Sequence, residues 1–241
     1  MRMRKKPNLL PRMERASAVL VREPETLRGA WLSAFPGYAA LHLELGCGKG
    51  RFTAETAAAA PETLLVAVEK VPDAMVVAME RTVEKGLHNV KFVDRDVVLL
   101  PELFAPGEVE RVYLNFCDPW PKSRDAKHRL TAPGFLRLYA DVLPTGGELW
   151  FKTYNLPLFQ WSLVQLEAED WALSEVTNDL HAAGVCGVMT DSEAKFHAQG
   201  VKINRLVATK TEATKTTAAG TPERLRDAAL SDAKGKQENR K

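Results

Sequence analysis

The chain has 241 residues, 45% hydrophobic and 27% charged, with a formal net charge of +2. That length holds one sizeable α/β core, and the composition excludes a disordered or fibrous chain. The charge is too small to signal a polyanionic partner by itself, so any basic footprint has to be local.

Such a footprint stands at the start, where Arg2, Arg4, Lys5, Lys6, Arg12 and Arg15 face the single acid Glu14. Cys47, Cys117 and Cys186 are widely spaced, which is neither a disulfide framework nor a C-x-x-C pattern and fits a reducing cytoplasm. The histidines show no H-x-x-x-H or H-x-E spacing, so no metal site is expected. With no signal-type apolar region and no apolar run near the ~18 residues of a membrane span, the expectation is a soluble cytoplasmic protein.

In chain order, residues 1–8 read as a cationic arm and 9–34 as one or two short capping helices. Residues 41–45 alternate apolar positions and predict a strand. It runs into Gly46-Cys47-Gly48-Lys49-Gly50 and a helix over 51–60 stopped by Pro61. A strand over 63–68 ends at Glu69; Pro72 then opens a helix to about residue 85, with Gly86 as its stop. A strand over 90–93 leads to Asp94 and Asp96, a short helix over 97–104 and a fourth strand over 109–114. Helices over 133–143 and 158–168 and strands over 148–153, 171–176 and 201–209 follow. Strands alternating with helices predict an α/β fold: a parallel, doubly wound sheet covered on both faces. After residue 210 large apolar residues almost vanish, which predicts a flexible polar tail. The expected organisation is residues 1–38 as arm and capping helices, 39–210 as the α/β domain and 211–241 as tail.

Ligands of such sheets sit outside the carboxyl ends of the strands. Here those ends carry Glu44 with Gly46, Gly48 and Gly50, then Glu69, Asp96 and Asp118. A dinucleotide fingerprint needs its third glycine at position 51, but that residue is Arg51 and the spacing is G-x-G-x-G. Glu69 stands about where a carboxylate accepts hydrogen bonds from ribose hydroxyls. A ligand with ribose, adenine and a positive sulfonium but no phosphate suits these acids better than a dinucleotide. S-adenosylmethionine is the favoured reading; a dinucleotide, or a set of ordinary polar loop residues, is the alternative.

The stretch 115–130 follows the apolar Val112-Tyr113-Leu114 and breaks at Pro119 and Pro121, which lock φ and remove two donors. It holds Asp118, Trp120 and the cations Lys122, Arg124, Lys127 and Arg129. An acid beside a planar ring with a cationic rim suits a planar base attached to a polyanion; a locally packed surface loop is the bland alternative.

Three stretches stand out: Met1-Arg2-Met3-Arg4-Lys5-Lys6-Pro7, Leu43-Glu44-Leu45-Gly46-Cys47-Gly48-Lys49-Gly50 and Leu114-Asn115-Phe116-Cys117-Asp118-Pro119-Trp120-Pro121-Lys122. Arg129-Leu130-Thr131, Phe151-Lys152-Thr153 and Thr190-Asp191-Ser192-Glu193-Ala194-Lys195-Phe196 follow. Together they resemble the bacterial tRNA (guanine-N7)-methyltransferase family over roughly residues 1–209. The glycine motif alone would resemble any class I S-adenosylmethionine-dependent methyltransferase; the Asp-Pro-Trp-Pro-Lys and Thr-x-x-Glu-x-Lys-Phe stretches are far more specific. The resemblance implies an α/β, doubly wound, mostly parallel seven-stranded sheet of the class I methyltransferase type, with Glu44, Gly46, Gly48, Gly50, Glu69 and Asp96 lining the methyl-donor site. Asp118 would serve both the donor and the catalytic site, and Lys122 with Thr190, Asp191, Ser192 and Glu193 would hold the substrate. Tyr154, also placed among the substrate contacts, stands where the family has an acid, and Asp125 and His128 stand where it more often has His and Arg.

Guanine N7 carries a free lone pair, so the chemistry needs placement and charge stabilisation more than a base. Asp118 is therefore expected to accept from the guanine N–H edge, with Glu193 as second candidate, while Trp120 either stacks on a base or wedges the loop. Arg124, Arg129, Lys127, Lys122 and the amino-terminal arm would take tRNA phosphates. Expected partners are S-adenosylmethionine and tRNA, without metal or membrane, for a monomer or homodimer. Methylation of DNA or a small molecule, and a non-catalytic RNA-binding relative, are the alternative functions.

Overall fold

Strands β1 (Ala40–Leu45), β2 (Thr63–Val68), β3 (Val90–Val93), β4 (Arg111–Asn115), β5 (Glu148–Thr153), β6 (Ala172–Thr177) and β7 (Asn204–Thr209) form one sheet in the computed structural model, which describes residues 7–219. The order is β3-β2-β1-β4-β5-β7-β6. β1 to β5 are parallel neighbours, whereas β7 runs antiparallel between β5 and β6. The helices are α1 (Leu9–Arg15), α2 (Trp31–Ala34), α3 (Arg51–Ala59), α4 (Pro72–Glu84), α5 (Leu100–Leu103), α6 (Pro133–Val142), α7 (Leu156–Ala168) and α8 (Asp191–Ala198).

Alternation along β2 shows why both faces had to be covered. Leu64, Val66 and Val68 join a cluster with Leu41, Leu43, Leu114 and Phe151 under α2, α5, α6 and α7. Leu65 and Ala67 point the other way, to Phe52, Met75 and Met79 of α3 and α4. Trp31 is fully buried against Phe104, with its indole N–H donating to the Leu103 carbonyl; burying such a side chain stabilises by about 3 kcal/mol. At the β3 edge Leu20 makes a short parallel bridge to Phe92, which blunts an otherwise open edge.

The predicted strands are all present. Three expectations change. The last strand begins at Asn204 rather than 201, and a helix forms over Asp191–Ala198 where none was expected. The segment predicted as a free tail from 211 is held as far as residue 219. Lys215 N–H donates to the Glu169 carbonyl and Thr217 N–H to the Asp141 carboxylate, and Thr214 is buried. The expectations for residues 1–6 and 220–241 lie outside the described residues.

Candidate active site at the strand carboxyl ends

Parallel register places the ends of β1, β2, β3, β4 and β5 along one edge, and the antiparallel β7 starts there, with Asn204 opposite Thr153. The loop after β1 turns because Gly46, Gly48 and Gly50 have φ of 78°, 56° and 73°, a region open to glycine at little cost. An added Cβ at Gly46 or Gly48 would meet nothing within 4 Å, so this backbone faces open space. Gly50 differs: a Cβ there would lie 2.4 Å from the Ala78 Cβ, and its absence lets α3 start against α4.

Glu69 at the end of β2 accepts from Gly48 N–H at 3.1 Å and Val71 N–H at 2.9 Å, one bond on each oxygen. Each oxygen retains a lone pair. Burial pushes this carboxyl up, against the backbone N–H groups that lower it. Asp96 at the end of β3 caps the next turn through Val98 N–H and pairs with Lys70 at 3.2 Å. Open room over the glycine backbone, with Glu69 and Asp96 beyond it on the β2 and β3 side, fits the ribose and the cationic end of S-adenosylmethionine.

Glu44, expected in that lining, stands near the end of β1. It is 1% exposed and lies beneath the loop, where its oxygens accept from the Thr53 hydroxyl at 2.5 Å and the Asn115 amide at 3.5 Å. Burial pushes its carboxyl up to about 7, while these two hydrogen bonds pull it down. Within this structure Glu44 is a brace joining β1, α3 and β4.

At the end of β4 the chain reverses through Phe116 (φ 56°) and Trp120 (φ 42°), conformations costly for non-glycine residues. Neighbouring contacts hold them there. Phe116 N–H donates to the Lys152 carbonyl at 2.9 Å. The Arg129 guanidinium donates to the Pro119 and Trp120 carbonyls and lies 4.5 Å over the Trp161 ring. Arg129, expected on the phosphate rim, is therefore engaged as a staple of this loop. Asp118, Lys122 and Arg124 are exposed, and Asp125 stands 3.8 Å from Arg124. Trp120 is 40% exposed with its ring 5.2 Å from that of His128. Burial, and then Asp118, push the Cys117 thiol up to about 12.

Thr190 caps α8 in a reciprocal capping box with Glu193, leaving Asp191 and Ser192 exposed in the first turn; Asp191 pairs with Arg81 at 3.0 Å. Glu193 has no exposed surface. Its carboxylate accepts from Lys152 Nζ at 2.6 Å and from Thr190 N–H at 3.2 Å, and it lies 3.0 Å from His181 Nε2. Because His181 Nδ1 accepts Cys186 N–H, Nε2 carries the proton and donates. Glu193, expected as the second candidate for the guanine edge, is thus buried here and ties the start of α8 to the sheet through Lys152. Tyr154, just past β5, is 38% exposed and stacks on Phe196.

Sequence reasoning missed Thr53, Asn115, Lys152 and His181, the buried partners of the two glutamates. Beneath this edge a cavity of about 370 Å³ is lined by Phe52, Tyr113, Asn115, Trp150, Lys152 and Arg205, among others. Its cations are internally paired: Arg205 with Glu175, Arg111 with Glu148 and Lys152 with Glu193. Among the described residues there is no cluster of His, Cys, Asp or Glu able to hold a metal ion, and no helix long and apolar enough to cross a membrane.

A family model described as "Putative methyltransferase" matches residues 38–206. The chain is 41% identical over 209 residues to a tRNA (guanine-N(7)-)-methyltransferase of Listeria monocytogenes serotype 4a (strain HCC23), covering 86% of this chain and 98% of that protein. It is 40% identical to the one from Bacillus cytotoxicus, covering 86% and 96%. Among solved structures it is similar to the 16S rRNA methyltransferase KamB (TM-score 0.56, 20% identity, 78% of this chain and 91% of that one). It is also similar to TrmN from Thermus thermophilus (TM-score 0.51, 22% identity, 82% and 52%). These last two likenesses speak for the fold alone.

Proposed function

The chain belongs to the tRNA (guanine-N7)-methyltransferase family, and from that premise we propose that it methylates N7 of a guanine in the variable loop of tRNA. The observation that carries this reading is the exposed Asp118–Lys122 stretch, set beside a glycine loop flanked by carboxylates in a chain about 40% identical to relatives of that name. When bound, S-adenosylmethionine supplies an electrophilic methyl carbon on a positive sulfonium. Glu69, Asp96 and the backbone over Gly46 and Gly48 would hold it, with Glu44 bracing the floor.

N7 needs no deprotonation, so the protein's work is placement and electrostatics. Asp118 accepts from the N–H edge of the guanine and its charge faces the purine as that ring becomes cationic. Asp191 and Ser192, at the start of α8, complete the substrate side with Thr190, and the buried Lys152–Glu193–His181 set fixes where that helix begins. Lys122 and Arg124 meet phosphates, giving affinity and salt dependence but little sequence choice. A tRNA substrate supports a cytoplasmic location, which belongs to the same proposal.

The test is transfer of labelled methyl groups from S-adenosylmethionine to unmodified tRNA transcripts, with nuclease mapping of the labelled nucleotide. Label at N7 of a variable-loop guanine is expected. Label only in DNA or in small molecules would replace the substrate, and absence of donor binding would remove the enzyme class.

A further inference from the structure

Three aromatic rings meet at the edge where β4 and β5 end. Phe116 and Phe196 are near-parallel, at 5° with centroids 6.3 Å apart. Tyr154 lies 4.1 Å from Phe196 at 24° and 6.3 Å from Phe116 at 19°. Phe196 and Phe116 are partly buried, while Tyr154, outermost in exposure, keeps 38% of its surface open. The stack is anchored from two directions. Phe116 is held in a left-handed conformation by its N–H bond to the Lys152 carbonyl, and Phe196 rides on α8, whose start is tied to β5 through Glu193 and Lys152. Asp118 lies two residues beyond Phe116. A half-open tyrosine on a rigid backing, at the end of the strand next to the one that leads to Asp118, is a platform for a planar group.

We propose that Tyr154, backed by Phe196 with Phe116 beside the pair, is a specificity-determining residue that receives the target purine on its π-face and favours it once it is cationic. The inference rests on the proposed methylation of guanine N7 and assigns this chain's own device for it. As the N7 lone pair forms its bond to the methyl carbon, the carbon–sulfur bond breaks, its electron pair stays on sulfur and no proton moves. The purine ends with one positive charge. An aromatic face carries negative quadrupolar charge and attracts cations more than neutral rings. Asp118 answers the same charge from the ring edge, so edge and face are stabilised by different groups. The expected size is that of one cation–π contact, about threefold to thirtyfold in a rate or affinity ratio.

The test compares Tyr154→Phe, Tyr154→Trp and Tyr154→Leu with the unmodified protein. Two quantities are read: the single-turnover rate on unmodified tRNA transcripts, and the ratio of affinities for N7-methylated over unmethylated transcript. Phe is expected to stay within about twofold of wild type in both, Trp to raise the ratio, and Leu to lower the rate about tenfold and bring the ratio close to one. Donor affinity should be unchanged throughout. A Leu variant that keeps the wild-type rate and ratio overturns the role. So does a ratio indifferent to the step from Phe to Trp, a comparison that stands even if the Leu variant unfolds. Wild-type protein that binds donor yet leaves tRNA unlabelled would instead overturn the substrate assignment.

Discussion

At the ends of β1 and β2 the carboxylates are committed to the protein itself. Glu44 is shared by Thr53 and Asn115, and Glu69 is held by two backbone N–H groups. At the ends of β4 and β5 the situation reverses: Asp118, Lys122 and Arg124 stand in solvent, and order comes from the backbone beneath them, two left-handed residues and an arginine that grips carbonyls. A small ligand of fixed shape suits a prebuilt cradle, whereas a large polyanion needs exposed charges on a stiff mount. The difference also separates what mutations should do. Donor-side changes should register as stability and donor affinity, acceptor-side changes as turnover and salt dependence.

The largest expected effect lies on the acceptor side. Asp118→Ala should lower methyl transfer by roughly a thousandfold with thermal unfolding unchanged; near-normal turnover would sink the assignment. On the donor side, Gly50→Ala forces a side chain into a φ of 73° and against Ala78. It should cost about 3 kcal/mol, seen as a melting temperature lower by about 10 °C.

Glu44 sharpens the contrast through pH. With its carboxyl pushed up to about 7 from 4.5, folding favours the protonated form. The penalty is absent below the ordinary value, grows between about 4.5 and 7 and is complete above about 7. Denaturant titrations should therefore show Glu44→Gln gaining on wild type by about 3 kcal/mol between about pH 4 and pH 8; parallel stability curves would refute the buried carboxyl. The smallest effect is Lys122→Ala, expected to weaken tRNA binding a few-fold and reduce its salt slope by about one, with donor affinity untouched. An unchanged slope would remove Lys122 from the phosphate path.

The strands were legible because apolar alternation reports which side of a residue is buried, and β1 to β5 needed little else. Alternation says nothing about partners, so the reversal of β7 and its place between β5 and β6 were invisible. Composition failed at residues 211–219 because threonine hydroxyls and main-chain donors dock that segment without large apolar side chains. Thr190-x-x-Glu193 is itself a capping signature and could have assigned Glu193 to its own helix; Lys152 and His181, which complete its burial, come from distant stretches. Arg129 read as one cation among several because charge alone does not reveal which guanidinium turns inward to carbonyls.

The late insertion of β7 has a consequence for how the chain is made. Once Thr153 has left the ribosome, β5 has β4 on one side and an open edge on the other, because its second neighbour is encoded at Asn204–Thr209. β6 is made in the interval and has β7 as its neighbour in the sheet. At ordinary elongation rates that edge stays unpaired for on the order of seconds, with β-rich backbone exposed to other nascent chains. The end of the sheet beside the acceptor loop is thus the last part to close and the part whose yield depends most on chaperone supply and expression rate. The glycine loop, whose strands and helices are all complete by residue 115, can form well before it.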